Sequence, residues 1–456
     1  MKSLIRLLII VGFFFAILLP ESASAQTGSY TSGFQILNLD QSNPANIIIT
    51  FYDKAGAVIA SPSDTINAGA SKTYFPLGDV PSGFNGSVII SSSTEVRAIV
   101  NVLNDTYQGG ASYGGFSSGA TLVNLPLVMK DNYGISTWFN VMNTTSTAEN
   151  ITVEFAGVSC DQTVNVPANS SHTFDQATDT CLSAGYVGAA TVTSTADVVV
   201  SVMQIVEGSN SLLAYNGFVS ESTMPVMPLV TSNFYNSGTG IQIQNTGSSS
   251  TDVTVSYSPS AGFPGAPCTE TKTIPANNSV TFGFPQLPVA CGTGGTGVTD
   301  VTNGGFVGSA KVTGNSASEP LVAIVNQVTR GAAASAAYGA FNVSDGSAKI
   351  SMPLIMDFNY NLFTGFAIMN VGTDEVNVTC TFSGSTHTET ATLASGVSFA
   401  AVQYNSPLGT GYVGSALCEA TGPGETKIVG IVNQNLYGAS KSQDQLLVYE
   451  AFPFSD

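Results

Sequence analysis

One block of landmarks occurs four times in the same order, and it constrains the chain more than any other feature. An Asn closes a short alternating segment at Asn38 (FQILN), Asn143 (FNVMN), Asn245 (IQIQN) and Asn370 (FAIMN). Twelve or thirteen residues later an aromatic ends a second segment, at Phe51, Phe155, Tyr257 and Phe382. A Gly-aromatic-x-Gly turn follows, then a β-branched stretch (AIVNV, VVVSV, VAIVN, VGIVN). A Tyr-x-x-Phe closes each copy, at Tyr113/Phe116, Tyr215/Phe218, Tyr338/Phe341 and Tyr449/Phe452. The Asn marks stand 105, 102 and 125 residues apart. Several landmarks recurring in one order mean tandem copies of one structural unit.

Each copy holds about seven short segments rich in Val, Ile, Thr, Phe and Tyr, split by Gly/Asn/Ser/Pro clusters and without a helical period. Short strands at this spacing in about 100 residues predict an all-β chain of four immunoglobulin-like antiparallel β-sandwiches. Alternation agrees: Phe139 and Val141 face one side and Asn140 the other. The expected units are 26–120, 121–222, 223–346 and 347–456. Their connections of about ten residues suggest a semi-rigid string.

Residues 1–25 read as a cleaved secretory signal, with Lys2 and Arg6 before the apolar run Leu7–Leu19 and Ala23-Ser24-Ala25 as a small-residue cleavage site. No later run is long enough for a membrane span, so the mature chain is expected to be secreted, extracellular and without a transmembrane segment. Lys+Arg is 12 against Asp+Glu 30, a formal charge of −18. A chain so poor in basic residues has no means of displacing counterions from a phosphate backbone, which excludes nucleic acid as a partner.

Six cysteines fall two per copy in units 2 to 4 and none in unit 1. Cys160/Cys181, Cys268/Cys291 and Cys380/Cys418 are the natural disulfides of an oxidising compartment. No C-x-x-C occurs, and His172 and His387 are the only histidines, so no metal site is expected.

Chemistry is sparse. Both histidines are placed in the fourth strands of their units, with no Gly-x-Ser-x-Gly elbow nearby. Asp131, Asp161, Asp175 and Asp179 sit singly in loops, not as the carboxylate pair a glycosidase needs. Structural calcium is conceivable, but no D-x-D-x-D-G loop occurs; no cofactor and no catalytic residue are expected. The Gly292–Gly297 stretch carries no following Lys and reads as a loop insertion. Asn38, Asn143, Asn245 and Asn370 suit a turn, bonding local backbone or accepting left-handed geometry. Trp138, the only Trp, aligns with Gly33, Gly240 and Gly365 and should point away from its core. It is either a contact to the next unit or a stacking platform for a sugar, the contact being favoured.

The run Gly305-Phe-Val-Gly-Ser-Ala … Leu321-Val-Ala-Ile-Val-Asn-Gln327, matched at Gly411–Ala416 and Ile428–Gln434, resembles a repeat of exported bacterial surface proteins. The resemblance implies an immunoglobulin-like repeat and an extracellular location, and it carries over no site residue. Units 1 and 2 depart from the Asn-Gln pair. The expected function is a non-enzymatic structural or adhesive surface protein: a stalk, surface-layer or filament component. Its expected partners are other surface proteins, copies of itself or polysaccharide. The alternative is a carbohydrate-binding accessory protein centred on Trp138.

A last pattern concerns an edge. Leu125-Pro-Leu127, Met227-Pro-Leu229 and Met352-Pro-Leu354 each place a Pro 17 residues before the repeat Asn. Counting 17 back from Asn38 falls at residue 21, inside the signal segment. Pro-bearing strands belong at sheet edges, so unit 1 is expected to have an open edge, either covered by Gln26–Gly33 or offered to a neighbouring chain.

Overall fold

The structure, a computed structural model, describes residues 30–104, 109–234, 236–284, 287–292, 305–329, 333–438, 444 and 446–454. The signal segment and most of the Gly292–Gly297 insertion lie outside the described residues. The fold is all-β, with antiparallel sheets throughout.

Unit 3 shows the plan. Its back sheet orders Val226–Ser232, Phe306–Gly314, Thr251–Pro259 and Cys268–Ile274, and its front sheet Ser279–Phe282, Ser237–Asn245, Leu321–Thr329 and Ser335–Gly339. Unit 4 repeats the plan, with Phe452–Pro453 added at the back edge. In unit 2 one 21-residue strand, Tyr186–Val206, serves both sheets. Unit 1 has a complete front sheet, but its back sheet ends at Gly86–Ser92, with no proline strand beyond. Alternation builds each core: in Ala45–Asp53, Ile47, Ile49 and Phe51 are buried while Asn46 and Ile48 are exposed.

The repeat Asn is not a simple turn residue. All four are fully buried, and none adopts left-handed geometry. Asn245 Nδ2 donates to Ser249 O (2.7 Å), Ile274 O (3.1 Å) and Pro275 O (3.3 Å), while its Oδ1 accepts Gly247 N–H (2.9 Å). Asn38 and Asn143 make the same set, reaching Ile66 and Val166, and Asn370 makes all but the third donation, reaching Leu393. One amide thus ties the end of a front strand to the end of a back strand.

The proline strands depend on the closing Tyr. Pro has no N–H to give the ladder, and the register slips at each one, between Gly188/Ala190, Met227/Val230 and Met352/Ile355. The Tyr hydroxyl replaces the lost ladder by donating to the carbonyl of the Leu after Pro. The pairs are Tyr215 to Leu127 (2.6 Å), Tyr338 to Leu229 (2.5 Å) and Tyr449 to Leu354 (2.6 Å). The same hydroxyl accepts that Leu's N–H at 3.1–3.4 Å. The Phe of Tyr-x-x-Phe pairs back to the proline strand, as Asn124↔Phe218, Val226↔Phe341 and Ser351↔Phe452.

The four sandwiches are not a string. The closing strands touch in a cycle: Gly110–Gly114 on Leu212–Asn216, that on Ser335–Gly339, that on Leu446–Glu450, and the last back on the first. They surround an axis that leaves about 10 Å³, room for roughly one water. Each proline strand also packs on the front sheet of the next unit, so cores run across the junctions. Ile324 joins the core of unit 2, Ile431 that of unit 3, and Ile99 of unit 1 that of unit 4. The string expectation fails because the outer faces of the front sheets carry apolar residues, Ile99, Ile324 and Ile431 among them, that a neighbour must cover.

The Asn-Gln pair belongs to these junctions. Gln204 and Asn326 exchange two hydrogen bonds (3.0 and 2.7 Å), as do Gln327 and Asn433 (3.1 and 3.0 Å). Gln434 donates to Ser112 Oγ, which donates to Asn101. At the remaining junction, between units 1 and 2, the equivalents are Val102 and Met203, buried in one apolar cluster. One carboxylate gathers strand starts from three units: Asp444 accepts the N–H groups of Leu212 (2.9 Å), Ser335 (3.0 Å) and Leu446 (3.3 Å).

Two outcomes test the ring. Small-angle scattering of the exported chain should give a radius of gyration of about 22 Å, the value for one compact body of about 430 residues. Four sandwiches end to end would give a much larger figure. The second concerns Glu450, which accepts Gly339 N–H (2.8 Å) beside the axis and whose carboxyl burial pushes up to about 7. An acid raised above its ordinary value binds its proton more tightly folded than unfolded, so stability should fall as pH rises from about 4.5 to 7. Glu450→Gln should remove that slope, of up to about 3 kcal/mol, from thermal melts across the window.

Candidate functional site: an aromatic end face

Asp444 collects the starts of three closing strands, so the units point the same way along the axis. The hairpins between proline strand and first front strand open at this end, beside the loops that enter the closing strands. Glu207 N–H reaches Gly134 O (2.7 Å), and Tyr437 N–H reaches Asn361 O (2.8 Å). The hairpin tips carry Tyr133 and Tyr360, each ten residues before its repeat Asn. Both are almost wholly exposed, at 97% and 88%, and both have positive φ, 51° and 50°. Bulky residues are uncommon in that region, and holding them there takes a well-determined turn.

Unit 4 enlarges its tip into a cluster. Phe358 lies 4.8 Å from Tyr404 and 5.3 Å from Tyr437, Phe363 lies 5.2 Å from Tyr404, and Tyr404 lies 5.5 Å from Tyr437. The rings are tilted or edge-on, and Tyr404 and Tyr437 are exposed. A hydrogen bond between the two phenols raises Tyr404 above its ordinary value. Asp357, fully buried, positions the loop that carries Tyr404. Its carboxylate accepts Asn405 N–H (3.2 Å), Ser406 N–H (2.9 Å) and the Ser406 hydroxyl (2.8 Å), and its carbonyl accepts Gly411 N–H (2.7 Å). Four rings drawn from three loops form a surface with polar tips, suited to stacking against a flat apolar face while bonding hydroxyls. The sequence carried a signal for part of it, the tyrosines ten residues before Asn143, Asn245 and Asn370. The cluster itself joins three loops remote in sequence and had none.

Trp138 is buried, 4% exposed, at the junction of units 1 and 2, its ring 6.3 Å from that of Tyr30. It packs with Val102, Met203, Leu212 and Ala214. A sugar platform there is excluded by this burial. At the junction of units 4 and 1 the equivalent place beside Gly33 is a cavity of about 150 Å³, lined by Phe75, Ile99 and Leu354 among others. Beside Gly33 and Gly240 the side chains of Phe75 and Phe284 close over the glycine, whereas in unit 2 the indole of Trp138 is itself the aromatic at that place.

The structure holds the disulfides Cys160–Cys181, Cys268–Cys291 and Cys380–Cys418. Cys160, Cys181 and Asp179 bring three ligand-type atoms together, but both sulfurs are bonded to each other and offer no thiolate. Asp179 Oδ1 accepts the N–H groups of Cys181 (2.6 Å) and Leu182 (3.1 Å). His172 lies in the fourth strand of unit 2, lowered by burial and by Lys54. His387 does not lie in a fourth strand: it immediately precedes the third strand, Thr388–Leu393, against Glu389 (3.0 Å) and the Phe382 ring. The sequence between Phe382 and this strand is short, which shifted the strand count. Ser385 Oγ meets the His387 backbone N–H, not its ring, so no nucleophile–base pair forms there.

No protein-family model matches the chain, and no curated protein is detectably similar to it in sequence.

Replacing the junction indole tests its role. Trp138→Ala should cost about 3–5 kcal/mol, read as a lower midpoint in denaturant unfolding, because it empties an enclosed apolar site.

Proposed function

We propose that the protein is an exported, non-enzymatic adhesion protein whose ring holds the aromatic end face against a glycan-bearing surface. The observation that carries this reading is the cluster of exposed Tyr404 and Tyr437 packed on half-buried Phe358 and Phe363, flanked by exposed Tyr360. Tyr rings provide apolar faces and hydroxyls together and lose little rotamer freedom on contact. Sugar rings offer the complement, an apolar C–H face edged by hydroxyls. An anionic bilayer is a poorer match, since a chain of charge −18 is repelled by it. Three disulfides and the absence, among the described residues, of a helix long and apolar enough to cross a membrane support an extracellular setting.

The test is retention on immobilised neutral and acidic polysaccharides. The wild-type chain should bind saturably to at least one. Tyr360→Ala should weaken binding about tenfold or more while leaving the melting temperature unchanged, because the residue is 88% exposed. Tyr404→Ala should weaken binding at least as much, with a small loss of stability from its contacts to Phe358, Phe363 and Tyr437. Trp138→Phe, conservative at the buried junction, should bind as wild type. No retention on any polysaccharide would end this reading.

A further inference from the structure

Among the described residues unit 1 has no counterpart of the proline strand that units 2 to 4 possess, and the groups that strand would meet stand unmatched there. Gly86–Ser92 pairs only with Ala45–Asp53, leaving its other edge without a ladder. Val88 and Ile90, on the core side, are half-buried, whereas Ala190 and Val192, Ala310 and Val312, and Ala416 and Cys418 at the same places are buried. Tyr113 corresponds to the tyrosines that bond the Leu after Pro, and it has no such Leu. Phe116 corresponds to the residues that bridge back to the proline strand, and it has no bridge.

The neighbouring wall tells the same story. Proline strands also cover the next unit's front sheet, and there Gln35 and Leu37, Gln242 and Gln244, and Ala367 and Met369 are buried. In unit 2 the equivalents Asn140 and Met142 are only half-buried, and Ser201 stands where Ile99, Ile324 and Ile431 enter a preceding core. Of the Gln26–Gly33 segment expected as a cover, Tyr30–Gly33 belongs to the front sheet, where Tyr30–Asn38 pairs along its whole length with Val96–Asn104, and residues 26–29 lie outside the described residues.

We propose that unit 1 is a strand acceptor: the edge of Gly86–Ser92 takes an extended segment of another polypeptide, of the form Leu/Met-Pro-Leu-Val/Ile preceded by an alternating apolar residue. The chain itself defines the occupant three times, as Val123–Met129 (VNLPLVM), Val226–Val230 (VMPLV) and Ile350–Met356 (ISMPLIM), seated on the equivalent edges. The backbone of the incoming strand completes the ladder, its apolar side chains cover Val88 and Ile90, and the Leu after Pro meets the Tyr113 hydroxyl. This is strand addition, in which the main chain supplies affinity and the Pro supplies register.

The probe is a synthetic peptide of residues 123–130 (VNLPLVMK) added to the purified exported protein, read by fluorescence anisotropy and by hydrogen exchange with mass spectrometry. Saturable binding with new protection confined to Gly86–Ser92 is expected. A peptide with Pro moved two places should bind at least tenfold more weakly. Tyr113→Phe, which removes one hydroxyl, should weaken the native peptide several-fold with an unchanged melt. Absence of binding up to millimolar peptide, or protection elsewhere, would overturn the proposal. So would protection, in the peptide-free protein, of those Gly86–Ser92 amides that face away from Ala45–Asp53: in a monomer it would mean the chain fills its own edge, and in a dilution-sensitive dimer that a second copy does.

Discussion

The front sheets of this protein carry residues that must be buried on both faces, and everything above the single sandwich follows from covering the second face. A sandwich buries one face of each sheet against the other and normally leaves the outer faces to water. Here Ile99, Ile324 and Ile431 point outward from their own units and are nonetheless fully buried, because each enters the core of the preceding unit. A linear array would leave the outer face of its first unit bare. Closing the array removes that end, so unit 1 is covered by unit 4 and each front sheet has a neighbour.

That requirement was written in the sequence and is easily misread. The stretches VVVSV, VAIVN and VGIVN are nearly continuous apolar runs, the mark of a strand buried on both sides, not of one with a wet face. Treating them as ordinary sandwich strands leads to a string. The sandwiches themselves were legible from period-two alternation and turn spacing, since these are local properties. Ring closure depends on residues more than a hundred positions apart, such as Gln204 with Asn326 or Gln434 with Ser112, which no local pattern links. The aromatic cluster was hidden for the same reason: Phe358, Tyr404 and Tyr437 are scattered in sequence and meet only once the loops are placed. Trp138 showed the limit differently, since its outward direction was readable but the neighbour it met was not.

The proline strand shows how one element can serve two units. An unbroken ladder strand would be bonded rigidly to its own sheet. Pro forces a bulge, and the bulge frees the backbone of the following Leu, which the closing Tyr then takes up from across the sandwich. Each such latch couples the back-sheet edge to the closing strand at the ring axis. The edge that packs on the next unit and the strand that touches both neighbours are thereby held by one hydroxyl. Tyr215, Tyr338 and Tyr449 are among the largest fully buried side chains for this reason.

Three junctions share this construction and one does not. Between units 1 and 2 the proline strand is missing, the amide pair is replaced by Val102 and Met203, and an indole occupies the place of a glycine. These three departures are coupled. Without the strand the upper part of the junction loses apolar cover, and Trp138 with Met203 restores it there. The lower part, at Asn140, Met142 and Ser201, has turned more polar, as a surface facing an open edge must if it is to remain soluble while unoccupied. The gap is not filled from the side of unit 2, where Ser201 stands in the place of an Ile. Instead the edge strand keeps its full length and its apolar Val-Ile-Ile centre beside a wall suited to water. Among the described residues the junction of units 1 and 2 thus departs from the other three in strand, amide pair and indole together, while the cycle of closing strands at the axis stays complete.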